Sequence, residues 1–146
     1  MRPRYVFLSF FAFSVLSTQS HSASWSDACP GLDVSFSAFF EKFVEDREFQ
    51  NLRIFYPLVI RDGIGFDQGL TVKALSEKSV RNLKYPLILK RKTQQEADIE
   101  EQITLSTERY VEVLLMQRET DRYVQTFQFR KHGDCWFLEG IMKGSS

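Results

Sequence analysis

The sequence predicts an α+β domain, an N-terminal helix packed on a curved antiparallel sheet, and three observations predict it. Phe36, Phe39, Phe40, Phe43 and Val44 recur at helical spacing and place a broad apolar stripe on one face of a helix. The end of the chain holds three β-prone runs, Arg109 to Gln117, Arg122 to Lys131 and Cys135 to Met142. Short polar connections, Arg118 to Asp121 and His132-Gly133-Asp134, separate those runs and make them antiparallel neighbours.

The 146 residues are 43% hydrophobic and 14% aromatic, with 7 Gly and 4 Pro, the composition of one ordinary globular domain. Lys and Arg number 19 and Asp and Glu number 19, with no basic block. That balance supplies no electrostatic footprint for nucleic acid or an anionic membrane. Arg2 and Arg4 precede the apolar run Tyr5 to Leu16, and polar Ser17 to Ser22 come next. An apolar run of about a dozen residues is too short to cross a ~30 Å hydrocarbon layer and suits a secretory signal. Residues 1–22 are therefore expected to be a signal peptide, with small Ser20 and Ser22 allowing cleavage after Ser22 and Ala23 or Ser24 as near alternatives, and residues 23–146 a single periplasmic or secreted domain without stable membrane insertion. The acidic stretch Ser26-Asp27-Ala28 before Cys29 does not read as a lipid-attachment site. Loss of Arg2 and Arg4 takes the 19 basic side chains to 17 against 19 acidic ones, a net charge near −2. About 124 residues bury roughly two thirds of their unfolded surface, enough for one core.

Asp33 or Ser35 is placed to cap the first helix. After Asp46 the pattern turns toward extended chain, and Pro57 marks an edge or bulge. Asp62-Gly63 and Gly65 are expected to end this segment in a turn or flexible loop. Ser76 to Lys84 reads as a short helix stopped by Tyr85-Pro86, and Leu87-Ile88-Leu89 as a strand. Lys92 to Glu101 is polar, an exposed loop or a solvated helical excursion.

In an exported chain the even pair Cys29 and Cys135 favours a disulfide. Closing a loop of about 107 residues stabilises by roughly 4–5 kcal/mol on the chain-entropy model. It pins the mature N-terminus to the last strand.

The string Phe39-Phe40-Glu41-Lys42-Phe43, then Asp46, Phe49-Gln50, Arg53-Ile54 and Tyr56-Pro57-Leu58, with a late Trp136, resembles an uncharacterised family of secreted bacterial domains with the pattern FxxFxxD-xxFQ-xxRI-x(F/Y)PL. That family resembles the nuclear-transport-factor-2-like (NTF2-like) or cystatin-like fold. The resemblance spans about 30 residues plus the last strand and implies a fold, which hosts both binding proteins and enzymes.

Chemistry narrows by subtraction. Beyond the leader the one histidine is His132, in an expected exposed turn. No His cluster or free Cys serves a metal or a thiol nucleophile, no GxSxG stands near a Ser–His–Asp set, and Gly63-Ile64-Gly65 lacks phosphate-loop spacing. No cofactor and no metal is expected. An Asp base opposite a Tyr oxyanion donor is the catalytic scheme that remains, with Asp46, Tyr56, Tyr110 and Tyr123 as its members. The structural alternative has Asp46 accepting hydrogen bonds from Arg47, Arg53 or nearby backbone at a helix-to-strand corner, with Tyr56 packed beside it.

Gln50 and Arg53 stand among Phe49, Leu52, Ile54 and Phe55, where buried polar groups require partners. Arg53 either braces the corner or receives a ligand carboxylate in its planar fork. Asp46, Gln50, Arg53 and Tyr56 are thus the binding candidates, and the catalytic set is empty. Three functions fit: a non-enzymatic binding domain for a protein or small-molecule partner; an immunity-type inhibitor presenting Thr93 to Glu101 to a periplasmic toxin or enzyme; and an isomerase or cyclase with an Asp/Tyr pocket.

Overall fold

The phenylalanine stripe winds into α1 (Phe36–Glu45) in the computed structural model, which describes residues 29, 33, 35–64, 70–118 and 124–145. The leader, its cleavage site, Gly65 and Tyr123 lie outside the described residues. Ser35 caps α1, its Oγ accepting the Ala38 N–H at 3.2 Å. Phe39, Phe40, Phe43 and Val44 are buried, and Phe36 packs against them.

Asp46 redirects the chain after α1. Its Oδ1 accepts the N–H groups of Glu48 and Phe49 at 3.0 and 3.1 Å, which caps a second helix, α2 (Arg47–Leu52), where extended chain was expected. A carboxylate satisfying two orphan donors is sufficient to start one more turn. β1 (Ile54–Ile64) comes next and continues through Asp62-Gly63, which pair with Thr71 and Leu70 instead of forming a turn. The Tyr56-Pro57 bond is cis, and the register of β1 against its neighbour shifts between Ile54 and Val59, the bulge expected around Pro57.

β2 (Leu70–Leu75) leads to α3 (Glu77–Arg81), whose cap is Ser76 Oγ accepting Ser79 N–H at 3.3 Å. Leu87-Ile88-Leu89 is not a strand. Side-chain amides take the backbone groups that a ladder would have used: Gln50 Oε1 accepts from Leu87 N at 2.8 Å, Gln50 Nε2 donates to Ile88 O at 3.4 Å, and Gln94 Nε2 donates to Leu89 O at 2.6 Å. α4 (Arg91–Glu96) is the helical excursion, and β3 (Ile99–Ser106), β4 (Tyr110–Gln117), β5 (Val124–His132) and β6 (Cys135–Ser145) complete the chain.

The strands form one curved, open sheet in the order β2-β1-β6-β5-β4-β3. Neighbours are antiparallel except β1 and β6, which run parallel with Ile60 opposite Ile141 and Arg61 opposite Met142. A parallel pair needs a long return path, and here everything from β2 to β5 supplies it. α1 lies on one face. Phe129 of β5 receives the rings of Phe36, Phe39, Phe40 and Phe43 edge-on, at 5.3–5.8 Å and 64–89°. Val111, Val113, Leu115, Phe127, Leu138 and Ile141 complete that inner face.

The expected disulfide joins Cys29 to Cys135, with Cα atoms 5.6 Å apart. Beside it Arg53 is only 2% exposed and Asp33 5%. Arg53 Nη2 meets Asp33 Oδ2 at 2.8 Å, while Asp33 Oδ1 accepts the Trp136 N–H at 3.1 Å. Arg53 Nη1 also reaches Cys29 Sγ at 3.3 Å, and the guanidinium lies 5.0 and 5.6 Å from the Phe49 and Phe137 ring centres. Arg53 therefore braces a corner with Asp33 as its partner, and Asp46 pairs with Lys42 at 2.5 Å instead.

Removing one member of this buried pair leaves the other charged and desolvated. Arg53→Met is expected to destabilise by about 3–5 kcal/mol, and Asp33→Leu combined with it to recover most of that loss. Equilibrium urea denaturation checks this; equal losses in the single and double variants would count against a buried ion pair.

Candidate functional site

Two hollows flank the centre of the sheet, one on each face. The inner cleft lies on the α1 side, where Ile60 of β1 and Ile141 of β6 form its floor. The irregular segment after α3 supplies a wall through Leu83, Tyr85, Pro86, Leu87 and Leu89, and Leu75 of β2 closes another side. The cleft encloses about 550 Å³. Its polar groups include Gln125, Lys84 and Lys143, and among the described residues no carboxylate lines it. Among the described residues neither lysine forms an ion pair; Lys84 Nζ sits 5.2 Å from the Tyr85 ring centre. The wall is held by Gln50, which is 1% exposed and anchors Leu87 and Ile88 to the Phe43 carbonyl.

On the opposite face, an outer groove of about 590 Å³ runs over β1, β6, β5 and β4. Phe55, Pro57, Val59 and Met142 give it apolar walls, and Arg61, Tyr110, Gln128, Arg130 and Glu139 bring polar groups. Alternation along β1 explains the division, since Leu58 and Ile60 are buried inward while Val59 and Arg61 point outward. Two hydrogen-bonded groups cross this face. Arg130 Nε donates to Glu139 Oε2 at 2.8 Å, and Glu139 Oε1 lies 2.6 Å from His132 Nε2. The Tyr110 hydroxyl donates to Glu112 Oε1 at 2.6 Å, and Gln128 Nε2 donates to the same oxygen at 3.0 Å. His132, expected in an exposed turn, ends β5 half-buried, stacked on Phe55 with ring centres 4.6 Å apart and 7° between planes.

The four binding candidates are separated. Asp46 sits at the α1–α2 junction, its carboxyl held below the usual range by the hydrogen bond from Lys42 and by the Phe49 N–H. Gln50 and Arg53 are buried, the first bonded to Leu87 and Ile88 and the second to Asp33. Tyr56 donates to Asn51 O at 3.4 Å, and burial raises its phenol. None of the four lines either hollow. Asp46, Tyr56 and Tyr110 do not share either one. Thr93 to Glu101, the segment that an inhibitor reading would present, is divided between α4 and β3. Sequence reasoning missed Lys84 and Lys143, and also Arg61, Gln128 and Glu139. For the outer set one signal was present: Gly140 interrupts an apolar strand, and such a glycine marks close approach of other groups.

Among the described residues no helix is long and apolar enough to cross a membrane, and no cluster of His, Cys, Asp and Glu is arranged for a metal. No protein-family model and no curated protein sequence matches the chain significantly. Among solved structures it is similar to an NTF2-like protein from Bacteroides fragilis, at 18% identity and a TM-score of 0.52, over 76% of this chain and 47% of that one. The chain thus spans about half the length of that structure. It is also similar to a cystatin-like protein from Bacteroides caccae, at 19% identity and a TM-score of 0.49, over 75% of each chain. The first likeness shows the fold, NTF2-like α+β, in agreement with the expectation from Phe39 to Leu58.

Burial and the hydrogen bond to Glu112 push the Tyr110 phenol up to about 12. A raised phenol favours the folded state while it stays neutral, so its contribution is intact below the ordinary value near 10 and is lost as pH rises toward about 12. Ultraviolet titration of tyrosinate is expected to show a late-ionising phenol that disappears in Tyr110→Phe. An unchanged titration curve in that variant would refute the assignment.

Proposed function

We propose that this chain is an exported, non-enzymatic binding domain whose inner cleft holds an apolar molecule carrying an anionic group. The observation that carries the reading is the cleft itself: about 550 Å³, mostly apolar walls, two lysines and, among the described residues, no carboxylate. Ligand sites are typically concave and apolar with a few placed polar groups, and this volume suits a small organic molecule. The cations favour negative charge where the apolar floor of Ile60 and Ile141 favours hydrocarbon.

In this reading the four candidates serve as supports. Gln50 fixes the Leu87-Ile88 wall, Arg53 and Asp46 fix the corner from which β1 departs, and Tyr56 ties β1 back to α2. Binding is favoured over isomerase chemistry because Asp46 and Tyr56 are each engaged with local partners outside both hollows. Export is supported by the Arg2–Arg4 and Tyr5–Leu16 pattern together with the Cys29–Cys135 bridge. The similarity of Phe39 to Leu58 to secreted bacterial domains belongs to the same reading.

Anilinonaphthalene sulfonate, an apolar anion that fluoresces on desolvation, is the probe. The folded domain is expected to bind it saturably, and Lys84→Ser with Lys143→Ser to weaken binding by about tenfold without lowering thermal stability. Binding unaltered by the double substitution would exclude this site. For export, the chain expressed with its leader in a Gram-negative host is expected in the periplasm, starting at residue 23, with Cys29 and Cys135 resistant to alkylation. Recovery of the intact chain in the cytosol with both thiols reactive would overturn that half of the reading.

A further inference from the structure

We propose that the outer groove is a second binding site, independent of the inner cleft, for a small carboxylate with an apolar body, and that Arg61 holds the carboxylate. The two guanidinium groups in the groove are not equivalent. Arg130 is matched by Glu139 at 2.8 Å, and the other oxygen of Glu139 meets His132. Arg61 is half-buried, and among the described residues it pairs with no carboxylate; its hydrogen bond reaches the neutral Gln128 amide at 3.4 Å. A guanidinium carries five N–H donors in a fixed fork, so most of its capacity here is directed at no acceptor among the described residues.

The surroundings hold Arg61 in that state. Gln128 donates its NH₂ to Glu112 Oε1, which also accepts the Tyr110 hydroxyl, so the amide oxygen of Gln128 is turned toward Arg61. The opposite orientation would set an NH₂ against a cation and leave Glu112 facing a carbonyl. Gly140 of β6 leaves the floor open beneath this bridge. A Cβ there would stand 2.9 Å from Gln128 Oε1 and 3.5 Å from Arg61 Nη1, closer than the amide tolerates without moving. The residue without a side chain thus lies at the point where two side chains from strands on either side reach across β6.

The ligand class is set by what borders the guanidinium. Val72 of β2 and Met142 of β6 are the cross-strand partners of Arg61 and are 58% and 42% exposed. Val59 and Pro57 continue the apolar wall along β1. A planar monoanion matches one guanidinium fork. A phosphate dianion would bring its second charge among Glu112 and Glu139, with no further unmatched guanidinium among the described residues of the groove to receive it. The occupant is therefore a monocarboxylate whose aryl or alkyl part lies against Val59, Pro57 and Met142.

Phenylbutyrate and its neutral amide are the probes, and amide chemical shifts of the ¹⁵N-labelled mature chain are the readout. Phenylbutyrate is expected to move Arg61, Gly140 and Met142 saturably, and the amide to bind at least about tenfold more weakly. Arg61→Gln is expected to lose about tenfold or more in affinity with its thermal stability unchanged, and Gly140→Ala to weaken binding by displacing Gln128. Lys84→Ser with Lys143→Ser is expected to leave these shifts intact, so failure here and failure of the inner-cleft reading are distinguishable. The proposal is overturned if millimolar probe gives no saturable shifts, if shifts are confined to Tyr85–Leu89, or if Arg61→Gln binds as well as the native chain. It is equally overturned if acid and amide bind alike, or if concentration-dependent broadening shows the groove occupied by a second copy.

Discussion

The buried contact between Asp33 and Arg53, set beside the Cys29–Cys135 bridge, is the constraint on which the arrangement of the sheet depends. Asp33 holds Arg53 through one oxygen and the Trp136 N–H through the other, and the Arg53 carbonyl accepts the Leu138 N–H at 2.9 Å. The end of α2, the start of β1 and the start of β6 are thereby tied at one point. A buried ion pair is a weak source of net stability, since desolvation of both charges offsets most of their attraction. What it supplies here is position. It starts β1 and β6 side by side and in parallel, with Ile54 opposite Leu138. A one-residue slip in a strand would exchange its faces, carrying Arg61 and Met142 inward and Ile60 and Ile141 outward. Both hollows therefore depend on a register begun at a contact that lies in neither.

Three register shifts then bend the sheet around α1. They fall between Ile54 and Val59 in β1, between Gln128 and Phe129 in β5, and between Ile103 and Leu105 in β3. The second has a direct consequence for burial. Phe129 pairs with Leu138 and Gln128 with Gly140, which leaves Glu139 as the extra residue of β6. Leu138 and Ile141, three positions apart, both join the core, while Glu139 reaches Arg130 and His132 across the outer face. Bulges increase local twist and re-aim side chains, and this one serves the helix on one face and the ion-pair group on the other.

How much of this was legible depended on how local each cause was. The stripe from Phe36 to Val44, the strands β4 to β6 and the short helix after Ser76 are set by periodicity and by residues within one turn of each other, so they could be read directly. α2 was missed because one capping side chain, Asp46, outweighed a segment with a mixed pattern. Leu87 to Leu89 reads as a strand in isolation, but the amides that claim its backbone come from Gln50 and Gln94, the former 37 residues away in its bond to Leu87 N. The partner of Arg53 lies 20 residues upstream, and the bridge from Arg61 to Gln128 spans 67. Neither hollow could be assembled from spacing, because each draws on strands that meet only through the β1–β6 pairing. The fold was legible, and the candidate sites required the register.

The two faces solve different problems with the same two strands. A single-layer sheet must hide one face and keep the other soluble. The inner face does so by burying phenylalanine against phenylalanine, and its cleft remains where the segment from Leu83 to Leu89 covers the sheet in place of a packed helix. The outer face carries exposed Val72 and Met142 beside Arg61, and Phe55 beside His132. Hydrogen-bonded charges are interleaved with those apolar side chains, which divides an apolar surface that would otherwise favour association. Arg130, Glu139 and His132 satisfy one another, so they keep the face wet without inviting a charged ligand. Arg61 breaks that pattern. Its guanidinium is kept in place by an amide whose orientation Glu112 and Tyr110 dictate, over a glycine that leaves space where any other residue would fill it. A cation needed only for solubility requires none of that preparation, and an exposed lysine at the same register position would serve as well; the preparation is what separates a surface charge from a recognition group.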